Sequence, residues 1–266
     1  MTEQPPASFP NFFGKHDHDA LFSPDQVIRD HPRFAQRDWA LPEHIVLFYQ
    51  GSLARYLEQR PDTSRMQLPI TYPGPQLFTF EETNGRVGAV GGFGVGSPAA
   101  AMVLETLIAL GCKRVINIGV AGGLQPDMPV GAVAVGTSAI RDEGTSHHYL
   151  VSTFPAEPSP ILTGLLSVEL DVRAMPYRSG PTWTIDAVYR ETLAETRHYR
   201  DLGVLTVEME AAAVYAVAQY RGIDAAGAFV VADILHEEGW KMEGLWAADA
   251  SETLQKLLET SVATLA

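Results

Sequence analysis

The residues of this chain whose types and spacing could do chemistry lie in two glycine turns, one arginine and a few carboxylates. Gly92-Phe-Gly94-Val-Gly96 and Gly119-Val-Ala-Gly122-Gly123 remove the Cβ atoms that would stop a backbone from closing on a ligand. Ser97-Pro98 opens a helix directly after the first turn, so the free N–H groups of its first residues suit an anion or a row of sugar hydroxyls. Val207-Glu208-Met209-Glu210 sets two carboxylates at the mouth of an alanine-rich segment. Carboxylates there serve equally well as ordinary caps of the helix dipole. Asp233 ends the last apolar run, and in open parallel sheets such carboxyl ends face the ligand crevice. Arg55 stands one helical turn beyond Gly51, where its forked guanidinium could reach back to an anion; the plain alternative is a surface arginine on an ordinary helix. The first turn is neither a dinucleotide fingerprint, which needs GxGxxG and a later acidic residue, nor a phosphate loop ending in Gly-Lys-Ser/Thr.

Strands and helices in alternation must position these groups. Short β-branched or apolar runs over residues 44–49, 77–82, 87–90, 114–118, 130–136, 174–180, 204–207 and 225–231 read as strands. Helical patterning is expected from Ser97 to Leu110 with a stop at Gly111, over 160–170, before Leu202, from the glutamates to Gly222, and over 251–264. Residues 183–191 read as a mixed aromatic and polar loop. The expectation is a single-domain three-layer α/β/α fold around a central mostly parallel or mixed sheet, spanning 41–266 behind an irregular N-terminal arm over 1–40.

With 266 residues, 46% of them hydrophobic, the chain can bury one large core. A net charge of −13 argues against nucleic acid or an acidic membrane as partner, since either needs a basic face. The single cysteine, Cys112, has no partner for an internal disulfide and reads as a small buried hydrophobe, consistent with a reducing cytoplasm. His16-Asp17-His18-Asp19 reads as solvated charge, and no metal is expected. Neither a signal-peptide pattern nor a membrane-length apolar run is found, so neither secretion nor membrane spanning is expected.

Taken together, Gly51-Ser-Leu-Ala-Arg55, Gly94-Val-Gly96-Ser-Pro98, Asn117-Ile-Gly-Val-Ala-Gly122-Gly, Val130-Gly-Ala-Val-Ala-Val, Val207-Glu-Met-Glu210-Ala and Val231-Ala-Asp233 resemble the nucleoside phosphorylase family of uridine phosphorylases, hexameric purine nucleoside phosphorylases and methylthioadenosine nucleosidases. The resemblance covers about residue 41 to the C-terminus. It implies ribose binding by Glu208, Met209 and Glu210, and phosphate binding by Gly51, Arg55, Gly94 and Gly122. It also implies base contacts from Asp233, with Tyr189 or Trp183 replacing a stacking aromatic that aligns with Val188. Catalysis would fall to Glu210, which holds the ribose hydroxyls as positive charge develops on the ring, and to Asp233, the acid that protonates a departing purine. The implied reaction is phosphorolysis of a nucleoside, purine in preference to pyrimidine, giving free base and (deoxy)ribose 1-phosphate. Inorganic phosphate would be co-substrate, with no other cofactor, in a homo-oligomer, dimer or hexamer. Asn117 and Val120 replace an arginine and a hydroxyl residue that usually hold phosphate. Two alternatives therefore stand: a nucleosidase using water, and a non-catalytic nucleoside-binding protein on the same scaffold.

Overall fold

The computed structural model describes residues 9–10, 12, 14–30, 32–35, 39, 41–68, 70, 74–236, 239–241 and 248–266. Two short helices, α1 (Pro24–Asp30) and α2 (Pro32–Ala35), stand in the stretch expected to be irregular, whose residues 1–8, 11, 13, 31, 36–38 and 40 lie outside the described set. There follow β1 (His44–Leu47), α3 (Gly51–Gln59), β2 (Thr63–Gln67), β3 (Gln76–Phe80), β4 (Val87–Gly91), α4 (Ser97–Ala109), β5 (Arg114–Gly123) and β6 (Val133–Asp142). The chain continues through α5 (Pro160–Val172), β7 (Tyr177–Ile185), α6 (Leu193–Asp201), β8 (Thr206–Glu208), α7 (Ala211–Arg221), β9 (Asp224–His236), β10 (Gly239–Lys241) and α8 (Ala248–Leu265).

The strands form one mixed sheet in the order β10-β9-β6-β7-β8-β5-β1-β4-β3-β2, and an extra β9–β5 pairing closes β5, β9, β6, β7 and β8 into a ring. Parallel pairing joins β4, β1, β5 and β9 in sequence, so β1, β4, β5 and β9 deliver their carboxyl ends to the same edge. Side-chain alternation then divides the core. Ile45, Leu47, Val115 and Ala121 pack under α4 and α7, whereas Val46, Phe48, Ile116 and Ile118 pack under α3, α5 and α8. The result is the expected three-layer α/β/α fold. Helix α7 is buried on every face from Ala211 to Ala218, which is why its apolar residues show no stripe. A bidentate pair, Arg221 Nε and Nη2 to the Glu105 carboxylate at 2.7 and 3.0 Å, ties α7 to α4 within their layer.

The structure differs from the sequence reading, or adds to it, at three places. The stretch 63–67, polar in composition, is an edge strand paired antiparallel with β3, so its alternation carried little apolar signal. The residues from Trp183 to Ile185 are the buried end of β7 rather than loop. Ser97 is not the side-chain cap of α4: Gly96 occupies that position with φ +96°, and the serine hydroxyl turns away to another segment.

Close approach explains one strand glycine. A Cβ on Gly91 would lie 2.3 Å from Cε2 of the Phe48 ring, which is fully buried beneath it. Gly91→Ala is expected to destabilise the fold by about 1–3 kcal/mol through overpacking. Urea denaturation checks this: the midpoint should fall with the slope unchanged.

Candidate active site

At the shared carboxyl edge, Tyr49 and Gln50 follow β1, Val120, Ala121 and Gly122 lie near the end of β5, Glu208 ends β8, and β9 carries Asp233. They surround a cleft of about 510 Å³. The glycine turn after β4 adopts φ +77° at Gly92, +93° at Gly94 and +96° at Gly96, a backbone path that side chains would strain. Two hydrogen bonds strap it to the glutamate segment. The Gly96 N–H donates to Glu210 Oε1 at 2.5 Å, and the Ser97 hydroxyl donates to the Met209 carbonyl at 2.7 Å.

The two glutamates do different work. Glu208 caps α7 from two residues ahead, its Oε2 accepting from the N–H groups of Glu210 at 2.8 Å and Ala211 at 2.7 Å. Its other oxygen accepts from the Thr184 hydroxyl at 2.5 Å. That leaves Glu210, at the N-cap position but making no cap bond, to face the glycine turn. Burial drives both carboxyls well above the usual glutamate range, Glu208 with added repulsion from Glu210; the hydrogen bonds they accept pull the other way.

Asp233 owes its direction to an irregularity in pairing. Ala121 faces Val231 but Gly122 faces Asp233, so Ala232 is an extra residue in β9, and the bulge brings the aspartate opposite the glycine. The stretch Gly119–Gly123, read from the sequence as a turn, is the end of β5; a Cβ on Gly122 would meet Leu235 at 2.6 Å and lie 3.7 Å from Asp233 Oδ2, so this strand position must be glycine for these side chains to enter the cleft.

Of the residues singled out from the sequence, Gly122, Tyr189, Glu208, Met209, Glu210 and Asp233 line this one cleft. Gly51 and Gly94 stand one residue beyond its wall, next to the lining residues Gln50 and Val95. Arg55 is exposed, with its Nη1 3.6 Å from where a Gly51 Cβ would be, folded back over the first turn of α3. Trp183 does not reach the cleft. It is fully buried, its ring centroid 4.7 Å from that of Tyr199 and its indole N–H donating to Asp142 at 3.0 Å, so neither face is open to a base. Tyr189 stands at the mouth, 98% exposed. A larger groove of about 900 Å³, between the start of β7 and α8, holds none of these candidates.

Sequence reasoning missed Tyr49, Gln50 and Glu191, all on the cleft wall. Tyr49 donates to Asn117 Oδ1 at 2.6 Å, and both burial and the charges of Glu210 and Glu208 hold its hydroxyl protonated far above the ordinary tyrosine range. The available signal was position: Tyr49 and Gln50 follow an apolar strand run and directly precede Gly51.

Comparison with known proteins places this geometry. The family model described as the phosphorylase superfamily matches residues 45–263. A guanosine phosphorylase of Halorubrum lacusprofundi is 37% identical over 141 residues, covering 53% of this chain and 58% of that protein. A uridine phosphorylase of Treponema pallidum is 27% identical over 177 residues, 62% of this chain and 69% of that protein. The match thus spans less than two thirds of the first relative's length. Among solved structures, a uridine phosphorylase from Vibrio fischeri superposes with a TM-score of 0.73 at 21% identity, covering 85% of this chain and 92% of its own; this likeness is one of fold.

The buried glutamates make stability depend on pH. Both hold their protons to higher pH in the folded chain than in the unfolded one, where glutamate titrates near 4.3. The folded state therefore binds more protons through that window, and the contribution of the pair to stability falls as pH rises from about 5 to about 8. Glu210→Gln removes one titrating group, so the slope of unfolding free energy against pH, measured by urea denaturation across this range, should be shallower in the variant than in the parent. Parallel slopes would show that Glu210 titrates as it does in the unfolded chain.

Proposed function

The chain belongs to the phosphorylase superfamily, and on that premise we propose that it cleaves the N-glycosidic bond of a nucleoside with inorganic phosphate, releasing free base and (deoxy)ribose 1-phosphate. The observation that carries this reading is the placing of Met209 and Glu210 on one wall of the cleft and Asp233 on another, with the glycine turn fastened to the first by the Gly96 and Ser97 hydrogen bonds.

In this reading the ribose lies against Met209, with its hydroxyls donating to Glu210. As the bond from C1′ to the base nitrogen lengthens, positive charge spreads over the ring, and a carboxylate fixed on the hydroxyls gains most at that moment. A phosphate oxygen forms the new bond to C1′ while the electron pair of the old bond leaves with the base. Asp233 gives its proton to that base, which suits a purine, whose N7 can receive it, better than a pyrimidine. Phosphate rests at the start of α3, where the Arg55 guanidinium folds back toward Gly51 and where Gly94 lets the backbone come close. No hydrogen bond or ion pair occupies Arg55 among the described residues, so its charge is available. Phosphate as the co-substrate, a homo-oligomer and a cytoplasmic setting complete the proposal.

A second reading, hydrolysis by water, rests on the wall itself. Among the described residues no lysine or arginine lines the cleft, and an asparagine held by Tyr49 stands on β5 at the edge next to β1.

Product analysis separates the two. Release of base from purine nucleosides is expected to require phosphate and to yield the sugar 1-phosphate; free ribose formed in phosphate-free buffer would replace phosphorolysis with hydrolysis. Removing one charged donor from the nucleophile should cost about 10²-fold or more, so Arg55→Ala is expected to lower kcat/KM for phosphate by that order. Asp233→Asn should slow purine cleavage by about 10²–10⁴-fold, the usual worth of a positioned acid, and slow pyrimidine cleavage far less.

A further inference from the structure

The arm ahead of β1 lies against the loop that follows β6, and the contact is built on histidines. His16, in the 3-10 turn Lys15–Asp17, donates from Nε2 to the His147 carbonyl at 3.0 Å. The Phe9 ring meets the rings of His147 and His148 edge to face, with centroids 5.6 and 5.3 Å apart. The receiving loop is fixed by its own bonds. The Arg141 guanidinium donates to Ser146 Oγ and to the carbonyls of Leu150, Val151 and Phe154 at 2.6–2.8 Å, and the Glu143 carboxylate accepts from the N–H groups of Thr145 and Ser146.

Three contacts then run in line from this loop to the arm. His147 Nε2 stands 3.1 Å from the Arg141 carbonyl, His147 Nδ1 stands 3.1 Å from Ser152 Oγ, and the Ser152 hydroxyl donates to the Phe9 carbonyl at 3.0 Å. A carbonyl only accepts, so Nε2 carries a proton; the serine has a single proton to give. With His147 neutral, its bare Nδ1 competes with the Phe9 carbonyl for that proton. With His147 an imidazolium, Nδ1 donates to Ser152 Oγ and the hydroxyl is left to Phe9. Only the protonated ring satisfies all three contacts at once.

We propose that the N-terminal arm is a proton-controlled strap, docked on this loop while His147 is protonated and loosened when it is neutral. The ionisable groups around the contact are Lys15 and His16 from the arm, Arg141, Glu143 and His148 from the loop, and Asp186, whose carboxylate accepts from the Gly144 N–H at 2.8 Å. Helix α7 packs on the same turn and brings Tyr215, Tyr220 and Arg221, the last held by Glu105. Burial, and after it the Lys15 charge, hold the His148 ring below the usual histidine range, so it takes its proton only in more acid solution. The bond from His16 needs only an Nε2–H and serves in either charge state of that ring. Docking binds a proton at His147, so the docked arm is favoured below the histidine range and lost as pH rises through it, between about 5 and 8. The strap bears on the cleft at one remove. The Phe9 ring packs on Gly144, and Gly144 is bonded to Asp186 at the head of the turn that carries Val188 and Tyr189 into the cleft wall.

Phe12, 68% exposed between Phe9 and His16, offers a place for a reporter. Phe12→Cys can be labelled with a fluorophore without competition, since Cys112 is buried and its thiol is pushed up to about 12. Time-resolved anisotropy of the labelled full chain separates the slow motion of a docked arm from the fast motion of a free one. The docked-to-free ratio is expected to fall about tenfold from about pH 5.5 to about pH 8.5, the worth of roughly one hydrogen bond. His147→Gln keeps a donor for the Arg141 carbonyl but has nothing in the place of Nδ1, and Ser152→Ala removes the hydroxyl from an exposed position. Each should lower the ratio in acid and abolish the step with pH. His16→Ala should lower the ratio by the same factor at both ends and keep the step, which is how a merely structural contact behaves. A parent ratio that falls less than about twofold across this range, or a step that survives in Ser152→Ala, would overturn the proposal. If His147→Gln does not fold, Ser152→Ala decides by the same criterion.

Discussion

The site depends on one polar contact made in a dry place, the Gly96 N–H donating to the Glu210 carboxylate. Residues 114 positions apart meet there, and neither could hold its conformation alone. The glycine turn runs through three positive φ values, and only Phe93 ties it to the core by packing. The glutamate is nearly buried, in surroundings that disfavour its charge. Each supports the other: the amide stabilises the ionised carboxylate, and the carboxylate gives the turn a polar anchor at Gly96 beside the packing of Phe93. Hydrogen bonds to charged groups are worth about 1.5–3 kcal/mol, roughly twice a neutral one, and leaving either partner unpaired in the interior costs as much again. The Ser97–Met209 bond then fixes the register of the two segments by a second point.

This explains why so much of the site was legible in the sequence. Glycines at 92, 94 and 96 are required by backbone geometry, and glutamates at 208 and 210 stand out as the two charges at the mouth of an apolar, alanine-rich helix. The layers were legible for a similar reason, since strands buried on both faces read as continuous apolar runs. What could not be read was whatever depends on how strands lie beside each other. Trp183 has the composition of a loop aromatic, yet β7 pairs with β6 and β8 on its two sides and carries that ring into the core. Tyr49 and Asn117 are 68 residues apart and meet only because β1 and β5 are neighbours in the sheet. The separate duties of the two glutamates followed from the side to which each carboxylate turned.

Asp233 shows how little it takes to set such a direction. Along an unbroken ladder Ala232 would face Gly122, and the apolar face of β9 would continue past the cleft. One inserted residue changes the partner and bends the strand, and the missing Cβ at Gly122 provides the room. Bulge and glycine are therefore a single device. Either alone would fail, the bulge by driving Leu235 into a side chain, the glycine by opening a gap with nothing to fill it.

The wall where a nucleophile would enter follows a different logic from the rest of the cleft. An arginine on β5 would put a full positive charge beside Glu210. Here Asn117 is fully buried, its Oδ1 taken by Tyr49 and its Nδ2 without a partner among the described residues, and the neighbouring Gln50 Oε1 is in the same condition. A buried donor and a buried acceptor left open cost about 1–3 kcal/mol each, and selection tolerates such groups where a ligand pairs with them. Tyr49 donates to Asn117 Oδ1, which turns the Nδ2 end of the amide away from the tyrosine hydroxyl. A dipole replaces a charge at this point. In the proposed reaction the attraction for phosphate is assigned to the α3 side, where Arg55 lies over Gly51. The wall near Asn117 can orient a nucleophile but contributes no net charge to its capture.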